Sequence, residues 1–168
     1  MPTSSIRFIS GTSSLGVLLL AFSAEGLCAL LLGDDLTTLE RDLARRFPGK
    51  PTPQRDEGLK PALEQILRHL EDSRNALDLP LDLTGSVFQQ RVWNALQQIP
   101  VGETASYQDI ARQLGQPTAF RAVANACGAN PLAVIVPCHR VLRQDGSLGG
   151  YRWGLERKRQ LLAREAQL

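Results

Sequence analysis

Cysteine is scarce in this 168-residue chain, and what there is forms no pattern. Cys28, Cys127 and Cys138 make an odd count with no C-x-x-C pair, and the two histidines, His69 and His139, lie far apart. A disulfide framework and a zinc site of ordinary ligand spacing are both disfavoured, and a reducing, intracellular setting is expected. Long apolar runs are also missing. Leu15–Phe22 is too short to span a bilayer and ends in polar residues. The opening MPTSSIRFIS has neither the charged start nor the continuous apolar core of a secretory leader. There is no internal repeat and no low-complexity tract, and residues 85–168 contain a single lysine, Lys158.

The chain is long enough for one or two small domains with a real core. Its net charge of +2 is unevenly spread. Residues 1–84 carry nine basic and twelve acidic side chains, whereas residues 85–168 carry ten and five. A basic, arginine-rich second half fits a polyanion partner, and it equally fits a solvated surface.

The first half alternates strand and helix signals. Leu15–Phe22 and Leu27–Leu32, separated by Ser23-Ala24-Glu25-Gly26, predict a hairpin with a third strand near Ile6–Ile9. Leu36, Leu39, Leu43 and Phe47 recur at helical spacing until Pro48-Gly49, and Leu59, Leu63, Ile66, Leu67 and Leu70 form a second stripe. Leu79–Leu83 alternates like a short strand, and the domain boundary is placed just after it.

The second half reads as mostly helical. Ser86 caps a helix bearing Phe88, Val92, Leu96 and Ile99 that stops at Pro100-Val101-Gly102. Ser106 with Asp109 matches a capping box opening SYQDIARQLG. Thr118 is expected to cap the next helix, TAFRAVANAC, whose Ala119, Ala122, Ala124 and Ala126 permit close approach to another surface. Two short helices joined through Gly115 give a helix-turn-helix pattern, one shared by many helical hairpins. Val134–Val136 is expected to be extended, Asp145-Gly146 to turn a wing over residues 140–151, and Leu155–Ala166 to form a last, basic helix.

Chemistry concentrates at Cys138. A free cysteine is most often a small buried hydrophobe, which suits Cys28 and Cys127. Cys138 differs because His139 and Arg140 follow it, and a base or a positive neighbour is what makes a thiol reactive. Adjacent residues of a strand point to opposite faces, so the chain must turn after Pro137 or the two groups must meet through water.

Pro137-Cys138-His139-Arg140-Val141, preceded by Asn130-Pro131, resembles the active-site signature of the O6-alkylguanine-DNA alkyltransferases. VFQQRVWNALQQIPVGETASYQDIA, FRAVANACGAN and GYRWGLERKRQLLAREA extend the resemblance over residues 84–166, closest to the bacterial Ada-type alkyltransferase domains; GLCALLLGDD matches more loosely. The resemblance implies an α/β, ribonuclease-H-like domain over residues 1–80, a small antiparallel sheet with helices. It implies a mainly α, winged helix-turn-helix domain over residues 84–168. The implied activity is that of a stoichiometric methylated-DNA–protein-cysteine methyltransferase. The alkyl group of O6-methylguanine, and secondarily O4-methylthymine, would pass from double-stranded DNA to Cys138 after the base is flipped out of the stack.

By matching position, Glu165 orients His139, which activates Cys138 through a water; Asn130 shapes the active-site turn; and Tyr107 assists flipping and donates to the base. Without the resemblance, Glu165 reads as a surface acid, Asn130 as a turn starter and Tyr107 as partly exposed core. Arg121 matches the arginine that fills the gap in the stack; alone it reads as a phosphate contact. Tyr151 matches a pocket wall. Thr118, Ala119, Ala122, Arg140 and Trp153 complete the expected substrate and DNA contacts. Trp153 replaces a smaller residue common in relatives but agrees with the Ada type. The resemblance further implies a cytoplasmic monomer that acts at the nucleoid through the DNA minor groove, with no cofactor and no metal. Two other readings exist: a lesion-binding protein without chemistry, against which Cys138 argues because such proteins carry another residue in place of the nucleophile, and a helix-turn-helix transcription regulator with an inert cysteine.

Overall fold

The computed structural model describes residues 5–168; the part of the leader reading that falls on residues 1–4 lies outside them. No helix among the described residues is long and apolar enough to cross a membrane. The chain divides into two compact units, one ending at Leu83 and the other spanning Thr84–Leu168.

The first unit is built on the expected hairpin. Strands β1 (Arg7–Ser13), β2 (Gly16–Phe22) and β3 (Leu27–Gly33) form an antiparallel meander. Gly26 makes the β2–β3 turn at φ +149°, and a Cβ there would sit 2.5 Å from the Pro80 carbonyl oxygen. Helix α1 (Leu36–Arg46) packs on β2 and β3. The chain then crosses to the far edge, where β4 (Gln54–Arg55) pairs in parallel with β1. The sheet, of order β3-β2-β1-β4, is therefore mixed rather than antiparallel as expected. The crossover through α1 returns the chain running the same way as β1, and a two-residue strand carries too little pattern to be read in advance. Helix α2 (Lys60–Glu71) covers β1 with Leu63, Ile66 and Leu70. The strand expected at 79–83 is reduced to one parallel bridge, Leu27 to Leu81. Pro80 accepts from the Leu27 amide at 2.8 Å but has no N–H with which to extend a ladder.

In the second unit, α3 (Val87–Leu96) and α4 (Tyr107–Gln113) both start with complete capping boxes, Ser86 with Gln89 and Ser106 with Asp109. Each cap of this kind contributes about 1 kcal/mol. Helix α5 (Phe120–Gly128) is tied to α3 by the Trp93 indole N–H, which donates to the Ala126 carbonyl at 2.9 Å. Thr118 does not cap it. The chain enters through a turn closed by the Ala119 amide on the Gln116 carbonyl, and Ala119 takes the cap position with no side-chain bond. Residues 134–136 are not extended either. Val134 adopts φ +69°, and the amides of Ile135 and Val136 bond back to Ala133 and Leu132, so the segment is a tight local turn. Two short strands, β5 (Ala105–Ser106) and β6 (Val141–Leu142), pair in parallel. The turn at Asp145-Gly146 is present, with the Gly146 amide on the Arg143 carbonyl. No described strand returns from it to pair with β6. Helix α6 (Leu155–Ala166) closes the unit as expected.

Candidate active site

Pro137 delivers the chain into a single 3₁₀ turn, Cys138–Arg140, so three successive side chains are all buried. The chain therefore turns after Pro137 instead of continuing as a strand. Asn130, fully buried two residues past the end of α5, holds the loop between itself and Cys138 in shape. Its Nδ2 donates to the Val136 carbonyl (2.8 Å) and towards the Cys138 Sγ (3.3 Å), and its Oδ1 accepts from the Leu132 amide (2.8 Å). Arg152 reaches over to donate to the Asn130 carbonyl at 2.9 Å.

Behind the thiol lies a buried ionic group. His139 Nε2 bonds to Glu165 Oε2 at 2.8 Å, and Arg140 grips the same carboxylate through Nε (2.7 Å) and a terminal nitrogen (3.0 Å). The other terminal nitrogen of Arg140 donates to the Ile99 carbonyl at 2.8 Å. Arg140, expected among the DNA contacts, is thus engaged inside the unit.

Burial sets the resting charges. It pushes the Cys138 thiol up to about 11, opposed by the Asn130 hydrogen bond and by the positive charge of Lys158. Burial also lowers the His139 pKa, against the pull of Glu165, so the imidazole rests neutral. For Glu165 burial again opposes the charge, but the hydrogen bonds from His139 and Arg140 outweigh it and hold the carboxyl at about 2. The resting site is therefore a neutral thiol and a neutral imidazole backed by a carboxylate.

Cys138 lies in a small cavity of about 140 Å³, lined also by Tyr107, Ala124, Cys127, Gly128, Gly150, Tyr151 and Arg152. Tyr107, Ala124 and Gly150 also line an adjoining open cleft of about 580 Å³ that contains Arg121 from the first turn of α5, together with Arg143 and Asp145. Tyr107 opens α4 as its first residue and packs close on Gly149, where a Cβ would fall 3.0 Å from its hydroxyl oxygen. Burial pushes that phenol up to about 12, so it is a proton donor at neutral pH. Thr118 and Ala122 are exposed and Ala119 is half-buried near the start of α5. Trp153 lines neither cavity. It is buried edge-on against the Tyr151 ring, at 5.4 Å and 71°, with the Arg152 guanidinium 5.3 Å over its face.

The residue that sequence reasoning passed over is Lys158. It is fully buried, and its ammonium donates to the carbonyls of Val141 (2.7 Å), Gly150 (3.0 Å) and Leu148, fastening the pocket-wall segment to α6. The signal was available. Lys158, Leu161 and Glu165 fall at i, i+3 and i+7, on the buried stripe of α6. Among the described residues no group of three or more His, Cys, Asp or Glu side chains is placed to hold a metal ion.

Comparison with known proteins gives a consistent pattern. Residues 87–167 match the family model described as 6-O-methylguanine DNA methyltransferase, DNA binding domain. The chain is 49% identical over 162 residues to the bifunctional transcriptional activator/DNA repair enzyme Ada of Escherichia coli, covering 96% of this chain and 46% of that protein. It is 48% identical over 118 residues to the inducible methylated-DNA–protein-cysteine methyltransferase of Bacillus subtilis, covering 70% and 66%. It thus spans about half the length of the first of these. Among solved structures, Mycobacterium tuberculosis OGT in complex with DNA superposes with a TM-score of 0.80 at 39% identity, covering 96% of this chain and 93% of that one.

Proposed function

The chain belongs to the 6-O-methylguanine DNA methyltransferase family, and on that footing we propose that it repairs DNA by direct reversal, moving the alkyl group of O6-alkylguanine onto Cys138. The observation that carries this is the Cys138 thiol in a small cavity, beside a neutral histidine backed by an ionised carboxylate.

A flipped guanine enters from the open cleft. The Cys138 proton passes through a water to His139, and Glu165 stabilises the imidazolium that results. The thiolate attacks the alkyl carbon, forming the S–C bond as the C–O6 bond breaks, and the bond electrons leave with guanine. Tyr107 donates a hydrogen bond to the departing base, and the guanine anion takes up, through water, the proton that the imidazolium gives back, so the site returns to neutral. Asn130 and Lys158 keep the turn and the pocket wall in place, and Tyr151 supplies the wall itself. The thioether has no exit chemistry here, so each molecule acts once and needs no cofactor. O4-methylthymine is a secondary substrate.

We assign DNA binding and chemistry to residues 84–168, as a winged helix-turn-helix domain whose α5 enters the minor groove. Residues 1–80 form a ribonuclease-H-like partner domain. The protein works as a cytoplasmic monomer at the nucleoid.

The test is a single incubation with a duplex containing O6-methylguanine, followed by peptide mass spectrometry. One added methyl on the Cys138 peptide is expected, and none in Cys138→Ala, which still binds DNA. Binding without any adduct on the unsubstituted protein would favour a lesion-binding or regulatory protein. Methyl transfer that persists in Cys138→Ala would move the nucleophile elsewhere.

A further inference from the structure

Tyr151 buries its hydroxyl without a hydrogen-bond partner among the described residues. The residue as a whole is half-buried, while its hydroxyl oxygen is fully enclosed. Tyrosines usually bury the ring and keep the polar tip wet or paired, and an enclosed hydroxyl without a partner carries a real desolvation cost. Its surroundings are informative. Tyr151 lines the Cys138 cavity, and the Glu165 carboxylate, or a thiolate once formed on Cys138, opposes ionisation of its hydroxyl. Two further buried polar atoms of the same unit are without a partner: Gln108 Oε1, on a residue of the open cleft, and His139 Nδ1, on the ring whose other nitrogen is held by Glu165. Two of these three atoms belong to residues that neighbour one sulfur, His139 in sequence and Tyr151 across the cavity.

We propose that the Tyr151 hydroxyl is a positioning group for proton transfer from Cys138, the third anchor of one water shared with His139 Nδ1 and the Cys138 sulfur. This rests on the reading of His139 as the base that acts through a water. A buried water needs two to four polar partners. His139 and the thiol supply two, and a water held by two groups can still swing. The hydroxyl fixes its orientation, so that it accepts from the thiol and donates to the imidazole. The phenol stays protonated throughout, since burial holds its pKa well above the ordinary value. It gives up no proton and adds nothing to the atom balance. The same bond satisfies a hydroxyl that the fold otherwise strands.

Tyr151→Phe tests this with almost no change of shape. Two rates are measured across pH: carboxamidomethylation of Cys138 by iodoacetamide on the protein alone, and single-turnover methyl transfer from a duplex. The other titratable and charged groups acting on Cys138, His139 and Tyr151, namely Tyr107, Cys127, Arg140, Arg152, Arg157, Lys158 and Glu165, are unchanged in every variant. Tyr151→Phe is expected to move both pH–rate profiles to higher pH and to slow reaction at neutral pH about tenfold, the loss of one hydrogen bond to a charge-bearing site. The decisive comparison is His139→Ala with His139→Ala/Tyr151→Phe. A shared water predicts that the double variant is no slower than His139→Ala alone. Profiles for Tyr151→Phe that superpose on those of the unsubstituted protein would overturn the proposal, as would losses that multiply in the double variant. If His139→Ala itself leaves the iodoacetamide profile unmoved, the relay reading fails, and that result is distinct from a failure confined to Tyr151.

Discussion

Glu165 does two jobs with one carboxylate: it neutralises the buried Arg140 guanidinium and it steadies the His139 ring. Its pKa falls from an ordinary 4.5 to about 2 on folding. A depressed carboxyl contributes stability that is fully present above its unfolded value and is lost as pH falls through the folded one. The contribution here is on the order of 3 kcal/mol, lost between about pH 4.5 and pH 2. His139 acts in the same direction from higher pH, because its pKa is lowered from 6.5 in the fold and acid must charge it where burial resists charge. Glu165→Gln leaves the guanidinium buried without its carboxylate, which costs about 3–5 kcal/mol when a buried pair is broken. Urea unfolding should therefore show a large gap between the native protein and Glu165→Gln at pH 7 that narrows as pH approaches 2. A gap of constant size would contradict the account.

At the scale of elements, α5 connects the cleft to the thiol. Arg121 stands in its first turn on the cleft, and Cys127, near its far end, lines the cavity. An arginine inserted where a base has left stabilises the extrahelical state, whose formation costs a few kcal/mol; a phosphate contact stabilises flipped and stacked duplex alike. Arg121→Ala should slow repair in a duplex far more than reaction with free O6-methylguanine base, and Arg121→Lys should recover only part of the loss because it lacks the planar guanidinium. Equal losses on both substrates would mean that Arg121 supports the pocket instead. The elements themselves were unequally legible. Helices with capping boxes, such as α3 and α4, or with a periodic stripe, such as α6, could be read because their signals are local. The turn at residues 133–136 could not. Three apolar β-branched residues speak for a strand, and only the enclosing contacts, with Asn130 bonding on both sides of the loop, force Val134 to positive φ. The site was legible mainly through its resemblance to a known family. The sequence alone marked Cys138 and His139 as neighbours, but the third member of their chain lies 26 residues away from His139 and looks like any surface acid.

For the whole molecule the relevant quantity is the charge distribution. The acidic first half and the basic, arginine-rich second half predict that DNA affinity comes from the second and is dominated by phosphate contacts. The logarithm of the affinity should then fall with the logarithm of salt concentration, with a slope of about −3 for as few as three neutralised phosphates. It should vary little between unrelated undamaged sequences. A salt titration by fluorescence anisotropy on several duplexes measures both. A footprint confined to one sequence would point to a regulator.

The single carboxylate shared by Arg140 and His139 also limits how such a chain can drift over generations. A change that makes the imidazole more basic by loosening Glu165 from Arg140 also unfastens α6 from the turn that holds the thiol. A substitution at any of the three positions is therefore expected to disturb the basicity of the imidazole and the seating of α6 together.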